Sequence, residues 1–167
     1  LDALERSVTV SRQRVCVGKV PGAKTGMPLS VRDTTENFIE KGGWQRCFGY
    51  RPQLCFSNRT NLVTALIVPV GNASDHSQVV DLMQQSVQNT AVIPHTLSLD
   101  DGYTGEAQLS GCQLLGIKVV SFSGARGKAL LGEETWNLPE HQAARKARNG
   151  AESGISALKA IVGFEQL

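Results

Sequence analysis

The stretch LSLDDGY, residues 97–103, decides how the rest of the chain is interpreted. It follows Pro94, alternates apolar with small polar residues, and ends in two carboxylates and a glycine. This pattern predicts a buried strand that delivers acidic side chains to the end of a sheet, with Gly102 allowing a sharp exit. Open α/β sheets tend to bind ligands at the carboxyl ends of their strands. Taken alone, the stretch favours a polar turn, because Asp and Gly are common turn residues.

Length and composition place the chain among globular proteins with a hydrophobic core. Its 167 residues are enough for one ordinary domain and few for two. No apolar run is long enough for a membrane span, and the first residues carry no signal-peptide pattern. We therefore expect a cytoplasmic protein without a membrane partner. The chain begins with Leu1 rather than methionine, so we expect an internal piece of a longer polypeptide.

The cysteines argue against a zinc site. They are scattered and include no Cys-x-x-Cys pair, which predicts free thiols in a reducing compartment. The formal net charge of +2 indicates little by itself. The four cysteines are Cys16, Cys47, Cys55 and Cys112.

The first part of the chain is predicted to be an arm followed by three strands. Residues 1–28 are interpreted as a lead-in arm or linker from a missing N-terminal domain, with a disordered terminus as the alternative. Residues 29–167 are interpreted as one catalytic domain. Short turns, such as Gly42-Gly43, predict that its first strands form an antiparallel meander. Pro52 must lie at an edge or a bulge, because it donates no hydrogen bond. The predicted strands are residues 29–39, 47–56 and 62–70.

Helices and strands are predicted to alternate in the rest of the chain. Asp75 and Gln78 have the spacing of a capping box at the start of a helix. Three antiparallel strands followed by βαβ units predict a ribonuclease H-like α/β fold, with a mixed sheet of about five strands flanked by helices. The inner positions are predicted to be Val79, Val80, Met83 and Val87 in one helix, and Ala107, Leu109 and Leu114 in the next. The later elements are predicted as strands 97–100 and 117–122, a loop at 123–139 and a helix at 141–162.

Two basic regions are candidates for contact with phosphates. Residues 123–139 contain three glycines with Arg126 and Lys128, and they lack the spacing of a P-loop, so we expect DNA-backbone contact and no nucleotide cofactor. The last helix carries charged residues at steps of three and four. This stripe suits either a phosphate-binding surface or a solvated face with an ordinary ion pair. Its members are Arg145, Arg148, Glu152, Ser156 and Lys159.

Three acids lie where such a fold would let them converge. Asp33 lies on the first predicted strand, Asp100 ends the strand after the first helix, and Glu152 lies on the last helix. In-line attack on a phosphodiester requires metal ions that hold the attacking and leaving oxygens. Hard divalent cations such as Mg²⁺ prefer carboxylate oxygens as ligands.

The order of these motifs resembles the catalytic domain of a bacterial insertion-sequence transposase of the DDE type. The resemblance runs from about Ser11 to the C-terminus. In such transposases the Asp-x-Gly-Tyr motif carries the second catalytic acid, which corresponds to Asp100. A helix Glu followed by a Lys seven residues on corresponds to Glu152 and Lys159. The other landmarks are residues 11–15, 29–43, 48–50, 71–75 and 148–149.

The resemblance implies a DNA transposase that uses Mg²⁺ or Mn²⁺. Such an enzyme cleaves phosphodiester bonds at transposon ends and joins the freed 3′ hydroxyl to target DNA. The implied metal ligands and catalytic residues are Asp33, Asp100 and Glu152. The implied partner is DNA, with a homo-oligomer on DNA left open, and the implied location is the nucleoid. The expected DNA-binding residues are Arg126, Lys128, Arg145, Arg148 and Lys159.

Two departures from the pattern leave an alternative open. Related sequences carry an acid near the position of Asn37, and an amide there would remove one negative ligand. The segment between Asn149 and Glu152 is also short, and each lost residue would rotate Glu152 by about 100° around the helix. The alternative is a catalytically inactive, truncated remnant that keeps the fold and weak DNA binding. A ribonuclease H-like nuclease outside transposition is a third hypothesis.

Overall fold

The computed structural model describes residues 37–41, 45–69 and 75–162, together with Glu5 and Val8. Side chains are described at 50–69, 76–151 and 154–156. The described elements form a mixed α/β protein, and the chain divides into two compact units. One unit comprises Leu1–Pro52 with Val68–Ala73, and the other comprises Gln53–Ile67 with Ser74–Leu167. The predicted arm and the predicted strand around Asp33 lie outside the described residues.

In the first unit, the described strands form a hairpin. Strand β1, Asn37–Lys41, pairs antiparallel with strand β2, Gln45–Gly49. Asn37 lies opposite Gly49 in this register. The antiparallel pairing agrees with the turn predicted at Gly42-Gly43, although the turn residues themselves lie outside the described part of the chain.

The second unit contains one antiparallel and one parallel pair of strands. Strand β3, Gln53–Ser57, pairs antiparallel with β4, Leu62–Ile67, and strand β5, Thr96–Leu99, pairs parallel with β6, Val119–Phe122. The predicted strand 47–56 is therefore two strands, β2 and β3. Pro52 lies in the break between them, as expected of a residue without an N–H group.

The described strands form three two-stranded sheets and not the single sheet of about five strands that the sequence predicts. The mixed α/β class is confirmed, and the ribonuclease H-like topology is not. One reason is visible at β4, whose outer edge is closed by side chains. Gln85 accepts a hydrogen bond from the Leu66 N–H (3.1 Å), and Asn89 donates one to the Thr64 carbonyl (2.8 Å). Satisfied edge groups do not pair with a further strand.

Helix α1, Val79–Thr90, packs against both β3 and β4. The predicted capping box pairs Asp75 with Gln78. These residues form a 3₁₀ turn before the helix, and the side chain of Asp75 lies outside the described set, so the capping box stays a prediction. The buried face is rotated from the predicted one. Its buried residues are Val79, Leu82, Met83 and Ser86.

Helix α2, Glu106–Leu114, packs against α1 and β6. Its apolar face differs from the prediction at two positions. Ala107 and Leu114 were expected inner residues, but both are exposed, Leu114 to 89%, whereas Cys112 is fully buried. A nine-residue helix presents little more than two turns to the core, so its last residue points away.

The loop predicted at 123–139 is wrong, because these residues form two helices. Helix α3 spans Gly124–Leu131 and helix α4 spans Glu133–Trp136. Two of the three glycines counted as loop signals, Gly124 and Gly127, serve close packing instead, and Gly132 joins the two helices with a φ of +77°. A β-carbon at Gly127 would lie 2.5 Å from Cβ of Phe122, so only glycine lets α3 approach β6 this closely.

The core of the second unit lies between α1, α2 and β6. The two cysteines with described side chains, Cys55 and Cys112, form no disulfide, which fits the prediction of free thiols. Burial raises the pKa of the Cys112 thiol to about 11, so the thiol stays protonated at neutral pH. None of the described helices is long and apolar enough to cross a membrane. The buried cluster consists of Val79, Met83, Cys112, Ile117, Val120 and Phe122.

Helix α5, Pro139–Val162, agrees with the predicted last helix and packs on β3, β5 and β6. Asn58, in the turn after β3, donates a hydrogen bond to the Ala147 carbonyl (2.8 Å). A β-carbon at Gly154 would overlap the ring of Phe56, so α5 lies very close to β3 at that point. These contacts fix the helix that carries Arg148 and Glu152.

His141 lies in the first turn of α5, and its burial should make the free energy of unfolding depend on pH. The residue is only 6% exposed, and its Nδ1 is buried without a hydrogen-bond partner in the described residues. Burial holds its pKa below the ordinary value of 6.5; Arg145 lowers it further and Glu140 opposes this. As pH falls through 6.5, the unfolded chain takes up a proton before the folded chain does. We therefore expect full stability above this pH and a loss below it.

Chemical denaturation at a series of pH values between 5 and 8 checks this expectation. His141→Gln should flatten the loss of stability at acidic pH relative to wild type. His95→Gln removes an exposed imidazole and serves as the matched control, which should retain the wild-type pH profile. An unchanged profile in His141→Gln would contradict the assignment.

Candidate active site at the carboxyl ends of two parallel strands

The parallel pairing of β5 and β6 brings two chain segments together at one edge. Asp100 follows β5 directly, and Ser123 follows β6. The Ser123 N–H continues the ladder by donating to the Leu99 carbonyl (2.9 Å). The Ser123 hydroxyl then donates to Oδ1 of Asp100, also at 2.9 Å. Asp100 thus lies where the sequence predicts, at the carboxyl end of a strand.

Contacts to the Asp100 carboxylate converge on one of its oxygens. Asp100 caps the 3₁₀ turn Asp101–Tyr103, and its Oδ1 accepts from the Asp101 N–H (2.8 Å). Nη1 of Arg148, on α5, lies 3.5 Å from the same oxygen. Within the described residues, no hydrogen bond or ion pair reaches Oδ2, and the side chain is 58% exposed. Among the side chains that the structure describes, the carboxylate is therefore held by one oxygen and open at the other.

These contacts also keep Asp100 ionised. Burial by itself raises the pKa of the carboxyl group. The Asp101 N–H, the Ser123 hydroxyl and the Arg148 guanidinium lower it by more, so the pKa of Asp100 lies below its ordinary value. The side chain is consequently a carboxylate at neutral pH, which is the form that a cation binds.

The next acid, Asp101, is bound by α3. Arg126 donates from Nε to Oδ2 of Asp101 (3.1 Å) and from Nη2 to its main-chain carbonyl (2.7 Å). Gly124 lies beneath this carboxyl group with a φ of +82°. A β-carbon there would lie 2.5 Å from Cγ of Asp101. Glycine is therefore needed at position 124 both for its backbone conformation and for space.

Tyr103 connects the motif to the antiparallel strands. Its hydroxyl hydrogen-bonds to the side-chain oxygen of Gln53, which is buried at the start of β3. No motif or spacing in the sequence indicates Gln53 in this role. Ser123 was also missed, although its place directly after β6 matches that of Asp100 after β5.

Arg145 has intramolecular partners on its helix face. Its guanidinium lies 3.8 Å from the centre of the Trp136 ring and donates to the Trp136 carbonyl (2.7 Å). It also donates to the buried Ser121 hydroxyl (3.4 Å). This cation–π pair and its hydrogen bonds join α4 and β6 to α5.

The other predicted basic residues are dispersed rather than gathered. Arg126 pairs with Asp101 as described, and Lys128 pairs with Glu133 (2.9 Å). Among the predicted basic residues whose side chains are described, Arg148 is the one that lies beside a predicted catalytic acid, Asp100. Lys159 lies within α5, but its side chain is outside the described set. Phosphate binding by these residues stays a prediction.

Two of the three predicted metal ligands cannot be located by their side chains. Asp33 lies outside the described residues, and Glu152 belongs to α5 one turn after Arg148 with its side chain not described. Asn37, the alternative first position, heads β1. Among the described residues, no three His, Cys, Asp or Glu side chains form a group that could hold a metal ion. Asp100, with its ionised and open carboxylate, fits a hard divalent cation as one ligand.

Comparison with known proteins identifies the family of the chain. No curated protein and no solved structure matches the chain. A family model described as the transposase DDE domain matches residues 20–167, which is most of the sequence. This match covers the Asp100 turn, β5, β6 and the whole of α5. The chain therefore belongs to the transposase DDE domain family.

Proposed function

We propose that this chain is the catalytic core of a DNA transposase that cleaves phosphodiester bonds at transposon ends and transfers the freed 3′ end to target DNA. The observation that carries the proposal is the Asp100 carboxylate. It lies at the carboxyl end of β5, is anchored through Oδ1, and has a side chain that is 58% exposed. Membership of the transposase family supports DNA as the substrate.

We further propose that Asp33, Asp100 and Glu152 together hold Mg²⁺ or Mn²⁺. Arg148 contacts Asp100 from α5, and Glu152 follows it by four residues on the same helix face. This spacing supports the convergence of Glu152 with Asp100. A bound divalent ion would stabilise the charge that develops on the attacking and leaving oxygens.

Other residues of the site orient the Asp100 carboxylate and are proposed to bind DNA phosphates. The Asp101 N–H and the Ser123 hydroxyl hold the Asp100 carboxylate in one orientation. Arg148 and Lys159 are the proposed phosphate contacts. Like Arg148, which pairs with Asp100, the residues Arg126, Lys128 and Arg145 would have to exchange intramolecular partners for phosphates, which lowers the net gain from each contact.

The fold proposed for the active protein is ribonuclease H-like. An antiparallel pair, β3–β4, precedes a parallel pair, β5–β6, in the order that such a sheet requires. Helix α5 packs on strands of both pairs, which supports their belonging to one layer.

A catalytically inactive remnant is the second candidate. Asn37 at the start of β1 favours it, because an amide at the first ligand position brings no negative charge. Such a remnant would keep the fold and weak, salt-sensitive DNA binding without turnover.

Nicking of a DNA duplex distinguishes the two candidates. We expect Mn²⁺-dependent nicking by the wild-type chain, reduced to the metal-free rate in Asp100→Asn, because an amide cannot replace the anionic ligand. Asp81→Asn removes an exposed acid from α1 and is the matched control. Wild-type nicking that persists in Asp100→Asn would refute the proposed site. Absence of nicking in wild type would favour the remnant.

A further inference from the structure

Arg126 makes an unusual pair of contacts with one residue. Its guanidinium binds the side chain of Asp101 through Nε and the main-chain carbonyl of Asp101 through Nη2. The first contact orients a carboxyl group, and the second holds the backbone of the turn that follows Asp100. Arginine can make both contacts at once because its donors form a rigid, planar fork.

The segment that carries Arg126 also contacts Asp100. Ser123 binds the Asp100 carboxylate, Gly124 makes room for the Asp101 carboxyl group, and Arg126 holds it from the other side. The parallel ladder between β5 and β6 brings this segment to the Asp100 turn. Two adjacent acids are thus oriented by one four-residue stretch, which begins at the end of β6.

We propose that Arg126 is a positioning residue for Asp100: it holds the 3₁₀ turn Asp101–Tyr103 so that the Asp101 N–H stays aligned with the Asp100 carboxylate. The inference deepens the proposed function and rests on it, since a metal ligand must keep one orientation. It gives Arg126 a role other than the phosphate binding predicted from the sequence.

The exposure of the pair separates this role from a contribution to global stability. The Arg126 side chain is 64% exposed and that of Asp101 is 36% exposed. Ion pairs exposed to this degree contribute little to the free energy of unfolding. Variants of Arg126 should therefore fold normally, and the effect of losing the contact should be confined to the turn.

Amide hydrogen exchange in the metal-free chain tests the inference directly. The Tyr103 N–H donates to the Asp100 carbonyl (3.0 Å) and reports on the turn, whereas the Ser123 N–H reports on the strand ladder. We expect Arg126→Ala and Arg126→Lys to speed exchange at Tyr103 about tenfold, with Ser123 unchanged. The lysine variant keeps the charge but cannot make both contacts. Lys128→Ala, which removes a cation paired with Glu133, is the matched control and should change neither amide.

The possible outcomes are distinct. Wild-type exchange at Tyr103 in Arg126→Lys would show that only the charge matters and would overturn the inference. Equal acceleration at Tyr103 and Ser123 would indicate a general loss of stability and would also overturn it. The assay requires neither metal nor DNA, so it remains decisive if the chain proves not to cleave DNA.

The salt dependence of DNA binding provides a second test. A phosphate contact contributes about one unit to the slope of log affinity against log salt. We expect Arg126→Ala to leave this slope unchanged and Lys159→Ala to lower it by about one. A reduction of about one in Arg126→Ala would assign Arg126 to phosphate binding and overturn the positioning role.

Discussion

Replacing Phe122 with alanine should lower the free energy of unfolding by about 3–5 kcal/mol, because it removes a fully buried aromatic side chain and leaves a cavity. Phe122 belongs to the central cluster, and Gly127 of α3 packs directly against it. The same residue ends β6, immediately before Ser123. Its loss should therefore weaken both the core and the edge of the sheet that carries the site.

Urea denaturation of matched variants measures this effect. Leu114→Ala removes a side chain that is 89% exposed and should change the free energy of unfolding by no more than about 0.5 kcal/mol. Phe122→Leu keeps an apolar side chain and supplies an intermediate value if the alanine variant does not fold. Similar losses in Phe122→Ala and Leu114→Ala would contradict the placement of the core.

Gly124→Ala should lower the free energy of unfolding by about 2–5 kcal/mol, through backbone strain and through overlap with Asp101. The positive φ of +82° costs an L-residue about 1–2 kcal/mol. Overlap of the new β-carbon with Asp101 should add about 1–3 kcal/mol, because that carboxyl group is also held by Arg126. The substitution should displace Asp101 and disturb the turn that follows Asp100.

Gly116→Ala is the control for the backbone contribution. Gly116 has a φ of +93°, but the nearest side-chain atoms, on Ile93, would lie at an ordinary distance of 3.6 Å. We expect this variant to lose only about 1–2 kcal/mol in the same denaturation experiment. If Gly124→Ala and Gly116→Ala lowered the free energy of unfolding equally, Asp101 would not be held in place against Gly124.

The features that the sequence predicts well are those with a strong local signal. The strand before Asp100, the strand ending at Phe122 and the long last helix all have clear apolar periodicity. Parallel pairing of the two strands then places Asp100 at the carboxyl edge without any further information. This local reasoning accounts for the position of Asp100, but not for its partner Ser123 or for the contact between Tyr103 and Gln53.

The features that the sequence misses depend on tertiary contact. Three glycines made residues 123–139 resemble a loop, but Gly127 packs on Phe122 and Gly124 on Asp101, so both belong to a helix. Arg145 fits a helical charge stripe, yet its partner, Trp136, lies on α4, within the segment predicted as a loop. Spacing along one helix cannot show which neighbouring element covers its charged side chains.

The joining of strands into sheets was the other limit of local reasoning. Alternation and turns predict individual strands, but they do not reveal that Gln85 and Asn89 close the outer edge of β4. The sequence predicts one strand with Pro52 at an edge or a bulge, whereas the chain forms two separate strands on either side of Pro52. Sheet assembly depends on side chains from distant helices, and their positions follow only from the packed structure.

Direct measurement of Mn²⁺ binding tests the role of Asp100 most sharply. Titration followed by electron paramagnetic resonance of free Mn²⁺ should show binding by the wild-type chain and at least about tenfold weaker binding by Asp100→Asn. Asp81→Asn removes the same charge from an exposed position on α1 and should bind Mn²⁺ as wild type does. A wild-type chain that binds no Mn²⁺, or an Asp100→Asn chain that binds it equally tightly, would contradict the assignment of Asp100 as a metal ligand.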